Sequence, residues 1–186
     1  MTAPRCIHIL GASGSGTTTL GQRLAAHLHY AHLDTDDFFW ETSDPPYHIR
    51  REPEQRLTML QKALAQHDGW VLSGSLCGWG DPLIGLFEAV IFVTLPAELR
   101  LERTRQRERE RYGDQLNAGG KMHHKHLEFM AWSAGYDDSA PSVGRSRVRH
   151  EAWLAELRCP VIRTENTGAP QDLLAHAVQQ LKLVGQ

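Results

Sequence analysis

The stretch Gly11-Ala12-Ser13-Gly14-Ser15-Gly16-Thr17-Thr18 decides how this chain is read. It follows a short apolar run, CIHIL, and opens the segment TTTLGQRLAAHL, where Leu20, Leu24 and Leu28 fall on one helical face. A strand that turns through spaced glycines directly into a helix is suited to hold phosphate. Glycine takes backbone angles that aim successive N–H groups into one hollow, and the helix N-terminus adds partial positive charge. Gly11, Ala12, Ser13, Gly14, Ser15, Gly16, Thr17 and Thr18 are therefore the candidate nucleotide-phosphate residues, with the Thr18 hydroxyl placed for Mg²⁺. A lysine usually stands where this chain has Thr17, so the point charge for the terminal phosphates is missing from the loop.

Working outward, apolar runs alternate with amphipathic stretches, which is the pattern of an α/β sheet with crossover helices. Strands are expected at 6–10, 31–33, 70–72, 89–95 and 160–163. The run AVIFVTL is continuous and rich in β-branched residues, as a parallel strand covered on both faces should be. Helices are expected from Gly16, from Pro53, over 96–111, 122–134 and 145–157, and over the closing DLLAHAVQQLKL. Residues 112–117 read as a loop, and Gly119-Gly120 breaks the chain again. The expectation is one three-layer α/β domain over 1–186, with a helical lid at about 103–140.

GSGTTTLGQRLA and VIFVTLPAELRLERTRQR resemble the glycine loop and the fourth strand with its lid-leading helix in the P-loop nucleoside and nucleotide kinases, adenylate-kinase-like in the broad sense. The resemblance spans most of the chain. It implies a five-stranded parallel sheet in the order 2-3-1-4-5, ATP as phosphoryl donor, and Mg²⁺. It departs from that group at Thr17 and in the acceptor segment, where WETSDPPY and then Arg50-Arg51 follow the second strand. The acid that usually ends the third strand of P-loop proteins is absent too, and Ser73 stands there.

Asp34, Asp36 and Asp37 gather at the carboxyl end of the second strand, the edge where open α/β sheets bind ligands. A carboxylate there takes the proton of an attacking hydroxyl or holds the water shell of Mg²⁺. Asp36 is the preferred base, Asp34 the metal-shell residue and Asp37 the fallback, with Asp34 and Asp37 both on the substrate side. Phe38, Phe39 and Trp40 either stack on a base or pack inside. Arg50 and Arg51 are candidate ligands for an acceptor phosphate, because guanidinium forks suit it. Gly74 and Ser75 end the third strand on the substrate side.

Arg100, Arg103, Arg107 and Arg111 recur at three or four residues and share one helix face. The resemblance to kinase lids assigns Arg103, Arg107 and Arg111 to the transferring phosphoryl group, where arginine neutralises charge. It also places Asn166 near the adenine edge. His123, His124 and His126 lack the carboxylate or cysteine spacing of a metal site.

Global composition narrows the classes. Lys plus Arg total 20 against 22 Asp plus Glu, a net charge of −2, so a strongly basic nucleic-acid binder is not expected. No apolar run nears the roughly 20 residues of a membrane span, and the N-terminus lacks a leader pattern. Three widely spaced cysteines point to reduced thiols and a cytoplasmic setting. The reading is an ATP-dependent phosphotransferase acting on a small nucleoside, nucleotide or similar metabolite, with no nucleic-acid or membrane partner. A catalytically impaired nucleotide-binding protein and a slow NTP hydrolase fit the same loop.

Overall fold

The computed structural model describes residues 3–138 and 145–185. The strands are β1 (Cys6–Gly11), β2 (Ala31–Asp34), β3 (Trp70–Ser73), β4 (Ala89–Thr94) and β5 (Val161–Glu165). The helices are α1 (Thr17–Leu28), α2 (Thr35–Phe39), α3 (Pro53–Leu64), α4 (Ala97–Tyr112), α5 (His123–Ala134), α6 (Arg147–Ala155) and α7 (Pro170–Val184). The sheet is parallel throughout, in the order β2-β3-β1-β4-β5 expected above. The last two residues of the expected lid, 139 and 140, lie outside the described residues.

Period-two alternation divides the sheet between two cores. Ile7, Ile9, Val71 and Ile91 face α1 and α7, where Leu20, Leu24, Leu173, Ala177 and Leu181 meet them. Leu10, Leu72, Val90 and Phe92 face α3 and α6, packing with Leu60, Leu64, Trp153 and Leu154. A fully buried leucine here contributes about 2 kcal/mol relative to an exposed one. Because all the strands are parallel, their carboxyl ends share one edge of the sheet. That edge brings Gly11, Asp34 and Ser73 together: Ile9 pairs with Ser73 and Asp34 pairs with Ser73 in the register.

Some local features add to the expected elements or shift them. Residues 35–39 form a short helix, because Asp34 Oδ1 accepts from Asp36 N at 3.0 Å and caps it. Residues 113–116 close a single 3₁₀ turn rather than an open loop. The helix expected from Arg145 starts at Arg147, where Ser146 Oγ accepts from Arg149 N. The last strand starts at Val161, since Pro160 has no N–H and gives the sheet only its carbonyl, to Val90 N at 2.9 Å.

Candidate active site

The glycine loop leaves β1 with Gly14 at φ 83° and Gly16 at φ 96°, backbone angles that favour glycine. Ser15 N bonds to Ala12 O at 3.0 Å and closes the turn. A side chain on Gly14 would come within 2.5 Å of Arg100 O and Thr104 Oγ1, so the loop sits directly on the backbone of α4. A side chain on Gly16 would strike the Asn166 amide. That amide donates from Nδ2 to Ser15 O at 2.8 Å, which makes Asn166 a brace behind the loop. The first N–H groups of α1 have no partner within the helix and face the same hollow.

Beside the loop, Thr18 Oγ1 donates to Asp34 Oδ2 at 2.8 Å. Ser73 Oγ donates to the same oxygen at 3.1 Å and also lies 3.0 Å from His32 Nε2. Two hydroxyls and a carboxylate are hard oxygen donors, a set that suits Mg²⁺ with most of its own waters retained. Among the described residues no group of three or more His, Cys, Asp or Glu is arranged to hold a metal, the three histidines of α5 included.

Asp36 is half-buried on α2 and lines the same cavity. Burial raises its pKa above the usual carboxylate range, and the positive charge of Arg145 is the strongest opposing influence. Asp37 is also raised, by burial and by the nearby Asp34 charge. His32 is lowered by burial against the pull of Asp34 and Asp37, so its ring is neutral at pH 7.

The arginines divide. Arg107 Nη2 donates to Ser13 Oγ at 3.2 Å, and Arg103 Nη2 donates to Asn166 O at 3.3 Å, so both reach the glycine loop or its brace. Arg111 lies 5.0 Å over the Tyr47 ring, on the acceptor side of the cavity. Arg100, expected on the same face, is instead buried. It binds Ser133 O at 2.7 Å and Asp137 at 3.0 Å, and so anchors α4 to the end of α5. The helix turns its Arg100, Thr104, Glu108 and Tyr112 face inward, a strict four-residue spacing that leaves the other arginines outside.

Arg50 lies 5.9 Å over Trp40 at the cavity rim. Arg51 does not face the cavity. It donates to Phe38 O at 3.1 Å and Trp40 O at 3.0 Å, tying down the end of α2. Gly74 lines the cavity, but the space that a Cβ would need is filled by Thr35. Ser75 is buried, with its hydroxyl 3.1 Å from His150 Nε2. Phe38 packs against the α3–α6 core, whereas Phe39 and Trp40 line the cavity.

Two further arginines line the cavity without a signal in the sequence. Arg56 and Arg145 lie over the Phe39 ring, at 3.9 and 5.5 Å from its centre. Arg56 sits on the first turn of α3, and Arg145 sits just ahead of the buried cap Ser146. Nothing in the spacing of either links it to Asp36; only the fold brings them together. Neither has an ion-pair partner among the described residues. The whole cavity, glycine loop to Phe39, is an open cleft of about 1400 Å³.

Residues 7–123 match the model of the AAA domain family (AAA_18). The chain belongs to this family. A protein of Bacillus subtilis (strain 168), "Uncharacterized protein YqaC", is similar to this AAA domain chain, with 44% identity over 160 residues, 86% of this chain and 88% of the relative. Among solved structures, a shikimate kinase from Acinetobacter baumannii in complex with shikimate superposes with a TM-score of 0.55 at 23% identity, covering 100% of this chain and 96% of that one. A gluconokinase from Sinorhizobium meliloti 1021 gives 0.57 at 15% identity, covering 99% and 95%. At these identities the likeness is one of fold: the AAA domain protein has the P-loop small-molecule-kinase architecture. Among the described residues, no helix is long and apolar enough to cross a membrane.

Proposed function

We propose that this protein transfers the γ-phosphoryl group of ATP to the hydroxyl of a small acidic metabolite. The observation that carries the reading is the Thr18–Asp34 contact at 2.8 Å, which joins the glycine loop to the acid cluster in one cavity. The loop holds the phosphates by backbone N–H groups, and Thr18 and Asp34 hold the cation and its water shell. Bound Mg²⁺ offsets the charge that develops on the phosphates. Asp36 accepts the proton of the acceptor hydroxyl as its oxygen bonds to the γ-phosphorus and the bond to ADP breaks. Arg103 and Arg107 hold positive charge where the loop lysine is missing. Asn166 braces the nucleotide side, and Asp37 stands by at the acid cluster.

The acceptor's acidic class is supported by Arg56 and Arg145. Two guanidiniums over one ring, each without a carboxylate partner among the described residues, suit an anionic ligand. Burial and the neighbouring Arg50 charge lower the pKa of Arg56, as expected of a cation short of counter-charge. Arg50, Arg111, Gly74 and Ser75 complete the acceptor side; Arg51 acts by fixing α2.

Thr17 favours a second reading, a nucleotide-binding protein that does not transfer. A thermal-shift screen with a non-hydrolysable ATP analogue separates the two. Hydroxy acids or phosphorylated metabolites that stabilise only alongside the analogue, and that consume ATP in its place, are the expected result. Stabilisation by nucleotide alone, with no acceptor in the panel, supports the second reading. A response confined to neutral sugars or nucleosides removes the acidic acceptor.

A further inference from the structure

Ser73 is the residue that replaces the usual acid at the end of β3, and its hydroxyl has two close partners besides a longer contact to Leu33 O at 3.5 Å. Asp34 Oδ2 lies at 3.1 Å and His32 Nε2 at 3.0 Å. A serine hydroxyl has a single proton, and an ionised carboxylate only accepts. The Ser73 proton therefore goes to Asp34, and the Ser73 oxygen accepts from His32. That requires the histidine proton to be on Nε2.

The resulting chain runs from His32 Nε2–H to Ser73 Oγ–H to Asp34 Oδ2. Thr18 donates to the same oxygen at 2.8 Å, and the other oxygen, Oδ1, accepts from Asp36 N at 3.0 Å. The Asp34 carboxylate is thus fixed at both oxygens. The fold makes room for this chain at Gly21, in the interior of α1. A Cβ there would lie 2.7 Å from His32 Nε2 and 3.1 Å from Ser73 Cβ. Glycine inside a helix costs about 1 kcal/mol relative to alanine. Here the bare Cα admits the imidazole between α1 and β3.

We infer that His32 is a positioning residue of the cation site: its Nε2–H turns the Ser73 proton onto Asp34 and so sets the orientation of the carboxylate. This rests on the assignment of Asp34 to the Mg²⁺ shell. Partners that orient a metal shell from behind are typically worth about 10–100-fold in metal affinity.

The test is Mn²⁺ binding to the protein–ADP complex, followed by electron paramagnetic resonance, with ADP affinity in EDTA measured beside it. His32→Leu keeps the bulk and removes the donor, and His32→Gln returns an N–H close to the Nε2 position. Weaker Mn²⁺ binding by about tenfold in His32→Leu and in Ser73→Ala, with His32→Gln close to the unaltered protein, is the expected result. The His32→Leu, Ser73→Ala double variant should bind Mn²⁺ no more weakly than Ser73→Ala alone. All variants should keep their ADP affinity in EDTA. Equal loss in His32→Leu and His32→Gln, full Mn²⁺ affinity in His32→Leu, or additive losses in the double variant would each overturn the role of His32. An unaltered protein that binds ADP but shows no nucleotide-linked Mn²⁺ overturns the assignment of Asp34 itself.

Discussion

The guanidinium of Arg107 crosses from α4 to the glycine loop, with Nη2 3.2 Å from Ser13 Oγ. The contact spans 94 residues of sequence and exists because Gly14 lets the loop rest on the α4 backbone. It puts a positive charge beside a loop whose lysine position holds Thr17. Arginine acting on transition-state charge is worth about 10³–10⁵-fold in kcat. Arg107→Ala should therefore depress kcat far more than it weakens ATP binding. Thr17→Lys should partly restore the variant, since it returns charge to the same phosphates. Strictly additive effects in the double-mutant cycle would reduce Arg107 to a surface charge.

Asp36 carries opposite predictions for activity and stability. As the base, its change to Asn should lower kcat by about 10²–10⁴-fold with little change in ATP affinity. The base must be ionised, and burial has raised its pKa, so the acidic limb of the kcat profile should lie above the ordinary Asp value of about 3.9. For stability the sign reverses. A carboxyl with a raised folded-state pKa favours the fold while protonated and loses that contribution as pH rises through the folded value. At neutral pH the charged Asp36 is thus a cost, and Asp36→Asn should raise the melting temperature. A variant that is both inactive and less stable would assign Asp36 a structural role.

The frame of the protein is legible in the sequence because it rests on local periodicity. The loop glycines, the Leu20–Leu24–Leu28 face and the apolar β4 run each point to one element, and the sheet order follows from the resemblance they carry. The site is less legible because its pairs are distant in the chain. Arg56 and Arg145 meet over Phe39, and His32 meets Ser73, only across neighbouring elements. Arg51 was misleading for a related reason. A guanidinium that satisfies two backbone carbonyls at a helix end has the same sequence signature as one awaiting a phosphate. His32 did leave a trace, standing two residues before Asp34 and so on the same face of β2.

Gly16 gives a steric test of the Asn166 brace. A side chain there would strike the Asn166 amide, and not the phosphate hollow, while also occupying a backbone angle of φ 96°. Gly16→Ala should weaken ADP binding, read by calorimetry, with the fold retained by circular dichroism. Asn166→Ala in the same chain should recover part of the loss, because it removes the obstruction but leaves the backbone strain. No recovery would mean that strain alone accounts for the glycine.

Two histidines of the core set the acid sensitivity of the fold. His8 is fully buried, stacked on Phe87 at 5.0 Å, and donates from Nδ1 to Leu72 O at 3.0 Å; burial lowers its pKa to about 3. His150 lies between Ser75 at 3.1 Å and Tyr136 at 2.8 Å, and burial, aided by the charge of Arg145, lowers its pKa to about 4. Both are neutral in the folded chain, while an unfolded histidine titrates near 6.5. A depressed folded-state pKa gives stability that is present above about pH 6.5 and lost as pH falls toward the folded value. Between about pH 7.5 and pH 5.5 the unfolded state gains nearly one proton at each position, so each should cost about 1.4 kcal/mol. Urea unfolding at the two pH values should show a combined loss of roughly 3 kcal/mol from this pair. His150→Gln, which keeps hydrogen-bonding capacity toward Ser75, should remove about half of that difference. It should do so even if it lowers stability at both pH values, because the difference depends only on protons taken up. An unchanged pH difference in the variant would show that His150 takes up a proton as readily in the folded protein as in the unfolded chain.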